Sequence, residues 1–130
     1  MSQKPIELIL MRQLASSLAM PIFLVDATGT LIFYNEPAEL VLGMRFNETG
    51  EMPAAEWATL WEPTEVDGTP LAPERVPLMI AFAERKPAHV ELSIRGLDGT
   101  RRRIGATAFP LIRPTEELLG AVVIFWETAP

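Results

Sequence analysis

The residues able to do chemistry are few and scattered. His89 is the single histidine of the chain, and there is no cysteine. An isolated imidazole needs partners before it can shuttle a proton or hold a metal, either a carboxylate or further ligands at metal spacing. No such grouping surrounds His89, and in an alternating strand it falls on the polar side with Glu91. The lack of cysteine removes disulfides, thiolate metal sites, thiol nucleophiles and cysteinyl chromophore adducts together. Neither a Gly-x-Ser-x-Gly elbow nor a phosphate-cradling glycine loop occurs. Glu116 and Glu117 follow Pro114 and read as solvated loop charges. Arg101, Arg102 and Arg103 alternate faces in a strand, so only two point the same way. The sequence therefore reads as non-enzymatic and without a metal.

The elements that would position any site are easier to read. Ile22–Val25 and Leu31–Tyr34 are short apolar runs around the turn-forming Asp26–Thr30, the pattern of a hairpin. Asn35 then suits a helix N-cap, Pro37 the first turn, and Gly43 a left-handed stop. Ahead of this, residues 5–20 predict a helix in which Ile6, Leu10, Leu14 and Leu18 recur every fourth position. Leu8, Met11 and Ala15 widen its apolar surface, so one face can lie on its own sheet while the other seeks a partner. Glu56–Leu60 predicts a short helix carrying Trp57 and Trp61 on one face. Pro73–Lys86 predicts a longer one, with Pro77 inside its first turn or so.

A second hairpin can be registered from pattern. A loop at Leu97–Gly99 sets Ile94 opposite Arg102, Leu92 opposite Ile104 and Val90 opposite Ala106, leaving the other side polar. Ala121–Trp126 and the two strands of the first hairpin are apolar on both alternations and need cover on both faces.

These stretches resemble the PAS domain, a small α+β sensory module of signalling proteins. The resemblance rests on the strand ending in Asp26, on Gly29, Asn35, Ala38 and Gly43, and on Asp67–Leu78, Arg95–Ile104 and Gly120–Glu127. It covers about residues 20–127. It implies a five-stranded antiparallel sheet of order 2-1-5-4-3, with helices on one face and the N-terminal helix on the other. Residues 1–20 then form a packing or dimerisation helix, and 21–130 the PAS core.

The resemblance also implies an inner-face site. Phe23, Val25, Ile32, Tyr34, Leu92, Ile94, Ile104, Ala106, Ala108, Val123 and Phe125 would line it, closed by Leu78, Met79 and Phe82. Among these, Tyr34, Leu78, Phe82, Ile94, Ile104, Ala106 and Phe125 are the expected ligand contacts. Tyr34 would be a polar anchor, and Arg102 would meet a carboxylate at the mouth. Small residues at 105–108 leave space for an apolar ligand, although a filled core fits the pattern as well. Haem is disfavoured because Pro73–Lys86 holds no histidine, and cysteinyl flavin because there is no cysteine; non-covalent flavin stays open. The function implied is non-catalytic sensing, by ligand or by protein contacts, with relay from Val122, Ile124 and Trp126 to the N-terminal helix. A pure docking module with no ligand is the alternative.

The expected partners are a second copy, through Ile6, Leu10, Leu14, Leu18 and Trp126, and an effector such as a histidine kinase, phosphatase or regulator. Net charge is −6, with Glu48, Glu51, Glu56, Glu62, Glu65 and Asp67 uninterrupted by a basic residue. That disfavours nucleic acid, which selects a basic face. No window approaches the roughly 18 apolar residues of a membrane span. The N-terminus has no secretory pattern, so the expected location is cytoplasmic.

Overall fold

The computed structural model describes residues 4–128; the ends of the two expected segments, 1–3 and 129–130, lie outside the described residues. Helix α1 (Ile6–Ser17) leads into the hairpin β1 (Ile22–Asp26) and β2 (Leu31–Tyr34). Three short helices follow: α2 (Glu36–Leu42), α3 (Phe46–Thr49) and α4 (Ala54–Leu60). A 3₁₀ turn at Pro73–Arg75 precedes α5 (Pro77–Glu84), and β3 (Ala88–Arg95), β4 (Arg101–Ile112) and β5 (Leu118–Glu127) complete the chain. The sheet is antiparallel throughout, in the order β2-β1-β5-β4-β3. The expected register of the second hairpin is the one found, with Val90, Leu92 and Ile94 opposite Ala106, Ile104 and Arg102.

The first hairpin turns on Asp26. Its Oδ1 accepts from the backbone of Thr28 and Thr30 and from the Thr28 hydroxyl, while Gly29 takes a positive φ of 85°. Its register is not regular. Phe23 and Leu24 face Tyr34 and Phe33, but Val25 faces Leu31, leaving Ile32 as an extra residue. This bulge moves Ile32 to the rear face, with Ile22, Leu24 and Val122, and brings Leu31 inward. The expectation that Ile32 faces inward is corrected by that one residue, since a bulge inverts the alternation beyond it.

The inner face and the helices α2, α4 and α5 enclose the larger core; α1 covers part of the rear through Leu8, Met11 and Ala15. The helix stops at Ser17, short of the expected Met20. Leu18 is extended, and Pro21 disfavours helical geometry at Met20. The outward side of α1 leaves Ile6, Leu10 and Leu14 exposed, with Leu18 exposed just beyond its end. Arg113 ties its first turn to the sheet, giving Nε to Glu7 Oε2 at 3.0 Å, while Nη1 pairs with Glu117.

Two further expectations are revised. Trp126 does not join the cluster under α1; its ring stacks on His89 at 5.8 Å and lies over Gly105. Gly105 has no side chain, and a Cβ there would sit 2.9 Å from the indole, so this glycine forms the trough that receives it. The helix expected over Pro73–Lys86 is broken at Val76, which is extended with ψ 126°. Steric conflict with the ring of Pro77 drives the preceding residue out of the helical region.

At the outer edge of the sheet, Thr64 exchanges both backbone hydrogen bonds with Ser93, at 2.8 and 2.9 Å. The segment after α4 thereby shields the β3 edge and buries Ser93, one exception to the polar, solvated back of this hairpin. Among the described residues no helix is long and apolar enough to cross a membrane.

The Arg113 hydrogen bond holds the Glu7 carboxyl below its ordinary pKa of 4.5. A carboxylate lowered in the folded state stabilises fully above its unfolded pKa, and this is lost as pH falls through the folded value. Thermal denaturation of wild type and Glu7→Gln should therefore differ by a constant above pH 5.5 and converge below the carboxylate range. Parallel curves down to pH 3 would show that this pair does not hold α1.

Candidate functional site

A cavity of about 110 Å³ lies between the inner face and the helices. Its floor includes Phe23, Leu92, Ile94, Ile104, Ala106, Val123 and Phe125, and its roof Leu42, Trp57, Trp61, Leu71 and Leu78. Half-exposed Ala58, Pro63 and Val76 form the rim. The break before α5 thus shapes the wall, because Val76 and Pro77 both border the space.

The polar atoms nearest this space are already committed. Trp57 Nε1 donates to the Gly29 carbonyl at 2.8 Å, and Trp61 Nε1 donates to the Leu42 carbonyl at 2.9 Å. The two indoles therefore offer the cavity ring faces and no free donor. Phe23 meets both edge-on, with centroids at 5.4 and 6.0 Å, favourable for ring quadrupoles. The lining contains no charged side chain, imidazole, thiol or carboxamide. Such a lining selects by shape and apolar contact.

Of the residues expected at the site, Leu78, Ile94, Ile104, Ala106 and Phe125 line this cavity. Tyr34 is buried behind Trp61, at a ring distance of 6.2 Å. Its hydroxyl donates to the Met44 carbonyl at 2.9 Å and lies 3.2 Å from Thr49 Oγ1. Burial raises its pKa, so the phenol stays protonated, but it does not border the space. Phe82 borders a neighbouring chamber instead. Arg102 is held within the protein: Nη2 pairs with Asp98 at 3.1 Å, Nη1 donates to the Val41 carbonyl at 3.1 Å, and Nε faces Glu127 at 3.4 Å. It braces the hairpin tip against α2, and holds the Asp98 carboxyl below its ordinary pKa.

The sequence reading placed neither Trp57 nor Trp61 in the wall. Their spacing on one face was the available signal; their N–H partners come from β-turn and helix-end carbonyls far away in the chain. His89 is exposed against Trp126, away from the cavity. Among the described residues no group of three or more His, Cys, Asp or Glu is placed to hold a metal ion.

No protein-family model matches the sequence, and no curated protein matches it. Solved structures do. The PAS domain of a Colwellia psychrerythraea protein superimposes with a TM-score of 0.67 at 18% identity, covering 92% of this chain and 97% of that one. The chain has the PAS fold. The PAS domain of nitrogen regulation protein NR(II) from Vibrio parahaemolyticus gives a TM-score of 0.63 at 12% identity, over 92% of this chain and 98% of that one. A Rhodobacter sphaeroides LOV protein gives 0.71 at 12% identity, over 91% of this chain and 65% of that one. The five strands of this PAS fold stand in the order 2-1-5-4-3 that the resemblance implies.

The cavity leaves room for a slightly larger side chain on its lining, and the packed core beside it does not. Ala106→Val is expected to raise the free energy of unfolding in urea by about 1 kcal/mol. Ala108→Val, at a fully buried position outside the lining, should lower it by about 1–3 kcal/mol through overpacking. Equal losses at both positions would mean that the core is filled.

Proposed function

We propose that this PAS domain is a non-catalytic sensory module whose inner cavity takes up a small, uncharged, apolar molecule. The observation that carries this reading is the apolar cavity whose two indole N–H groups are already bonded elsewhere. An ion or a strongly polar ligand would lose its hydration there without compensation. The lining does not fit a haem held by a protein imidazole, nor a flavin attached through sulfur or hydrogen-bonded by wall carboxamides. An apolar cavity of about 150 Å³ is known to stay dry and to bind benzene, which sets the scale of the ligand.

The relay we propose runs around the β2 edge of the sheet. Trp61 meets Tyr34, Tyr34 meets Phe46 at 5.3 Å, and Phe46 meets Phe33 at 5.5 Å on the rear. Arg12 of α1 lies over Phe33, 4.6 Å from the ring centroid. Repacking at Trp61 therefore has a contiguous path to α1. A ligand drives it only by its differential affinity for the two arrangements. Val122 and Ile124 contribute beneath α1, while Trp126 does not.

A second reading is supported by α1 itself. Ile6, Leu10 and Leu14 are 65, 55 and 51% exposed along one stripe, and Leu18 is 40% exposed beyond it. We infer a homodimer through this stripe, with an effector of the signalling class to which the named neighbours belong. Neither nucleic acid nor a membrane is proposed as a partner, and the proposed location is cytoplasmic.

Two measurements test these readings. Titration with benzene should shift the methyl NMR signals of Ile94, Ile104 and Leu78, and then the amide of Arg12. Unchanged spectra at saturating benzene would remove the ligand reading. By sedimentation, the wild type should be a dimer, and Leu10→Arg should weaken it about 100-fold or more while its far-UV circular dichroism stays that of the folded chain. A wild type that stays monomeric at high concentration would refute the dimer.

A further inference from the structure

Beside the main cavity lies a second chamber of about 140 Å³, bordered by Ala27, Thr28, Gly29, Ala54, Met79 and Phe82. The two chambers share two walls, Trp57 and Leu78. Both are buried, whereas Ala27 and Thr28 at the outer chamber are exposed, so this second space reaches the surface.

The partition is held from both sides. The Trp57 indole is fixed to the β1–β2 turn by its bond to the Gly29 carbonyl. Leu78 stands in the first turn of α5, directly after the extended Val76 and Pro77. Nothing charged borders either chamber. Removing these shared walls would join the two spaces and more than double the apolar volume open to a ligand of the main cavity.

We propose that Trp57 and Leu78 determine ligand length: closed, they restrict the cavity to compact molecules, and displaced, they admit an unbranched alkyl chain whose polar end emerges at Ala27–Thr28. This rests on the reading of the inner cavity as a ligand site. Each further buried methylene contributes about 0.8 kcal/mol, so two of them amount to roughly tenfold in affinity.

The probes are benzene and 1-decanol, each titrated into wild type, Trp57→Ala and Leu78→Ala by calorimetry and methyl NMR. The expected result is a gain of at least about tenfold for 1-decanol in either variant, with shifts at both Ile104 and Met79. Trp57 also anchors the core, so Leu78→Ala carries the test should Trp57→Ala fail to fold. If benzene binds the wild type and neither folded variant gains affinity for 1-decanol, the partition proposal is overturned while the ligand reading stands. If no probe binds any form, both fall. Selective binding of 1-decanol to the variants supports the partition even where wild type binds neither probe.

Discussion

The arrangement of layers depends on one buried carboxamide. Asn35 is 2% exposed and uses its full hydrogen-bonding capacity. Its Oδ1 accepts from Ile22 N at 2.9 Å and from Ala38 N at 3.2 Å. Its Nδ2 donates to the carbonyls of Ala15 at 2.9 Å and Met20 at 2.8 Å. These four groups belong to the start of β1, the first turn of α2, the end of α1 and the link between α1 and β1. The rear helix, the sheet and the first inner helix therefore meet at a single side chain. Aspartate could accept but not donate, and serine lacks the reach. Leaving any one of these groups unpaired in the interior costs about 1–3 kcal/mol.

From this junction follow the features on which the proposed function rests. With α2 set against the sheet, the Leu42 carbonyl is placed for the Trp61 indole and the Val41 carbonyl for Arg102. Trp57 is held likewise by the Gly29 carbonyl. Two large rings are thus fixed by their polar edges, and cannot collapse into the space they roof. The cavity persists because its walls are tethered. On the rear, the same junction sets α1 so that Leu8, Met11 and Ala15 pack inward, which necessarily turns Ile6, Leu10 and Leu14 to solvent.

Much of this was legible where the determinants are local. Asn35 as a cap, Gly43 as a stop and the Ile94–Arg102 register followed from turn chemistry and alternation. The break at Val76 was missed although its signal is local: the residue before a proline resists helical geometry, yet Pro77 was read as lying within the first turn of one continuous helix. Other features depend on distant partners. Ile32 turned outward through a bulge that no alternation pattern marks. Trp126 found its place over Gly105 because a neighbouring strand lacks a side chain there. Arg102 lay inward as expected, yet its charge was met by Asp98 and Glu127, not left for a ligand. The four bonds of Asn35 span as many as 20 residues of sequence, and only the cap among them had a local signature.

The most direct test is residue-resolved amide hydrogen exchange on wild type and Asn35→Ala under native conditions. If one carboxamide joins the layers, protection should fall together in the last turn of α1, at Ile22 and in the first turn of α2. Loss confined to the first turn of α2, with α1 and β1 protected as before, would reduce Asn35 to an ordinary helix cap and contradict the coupling.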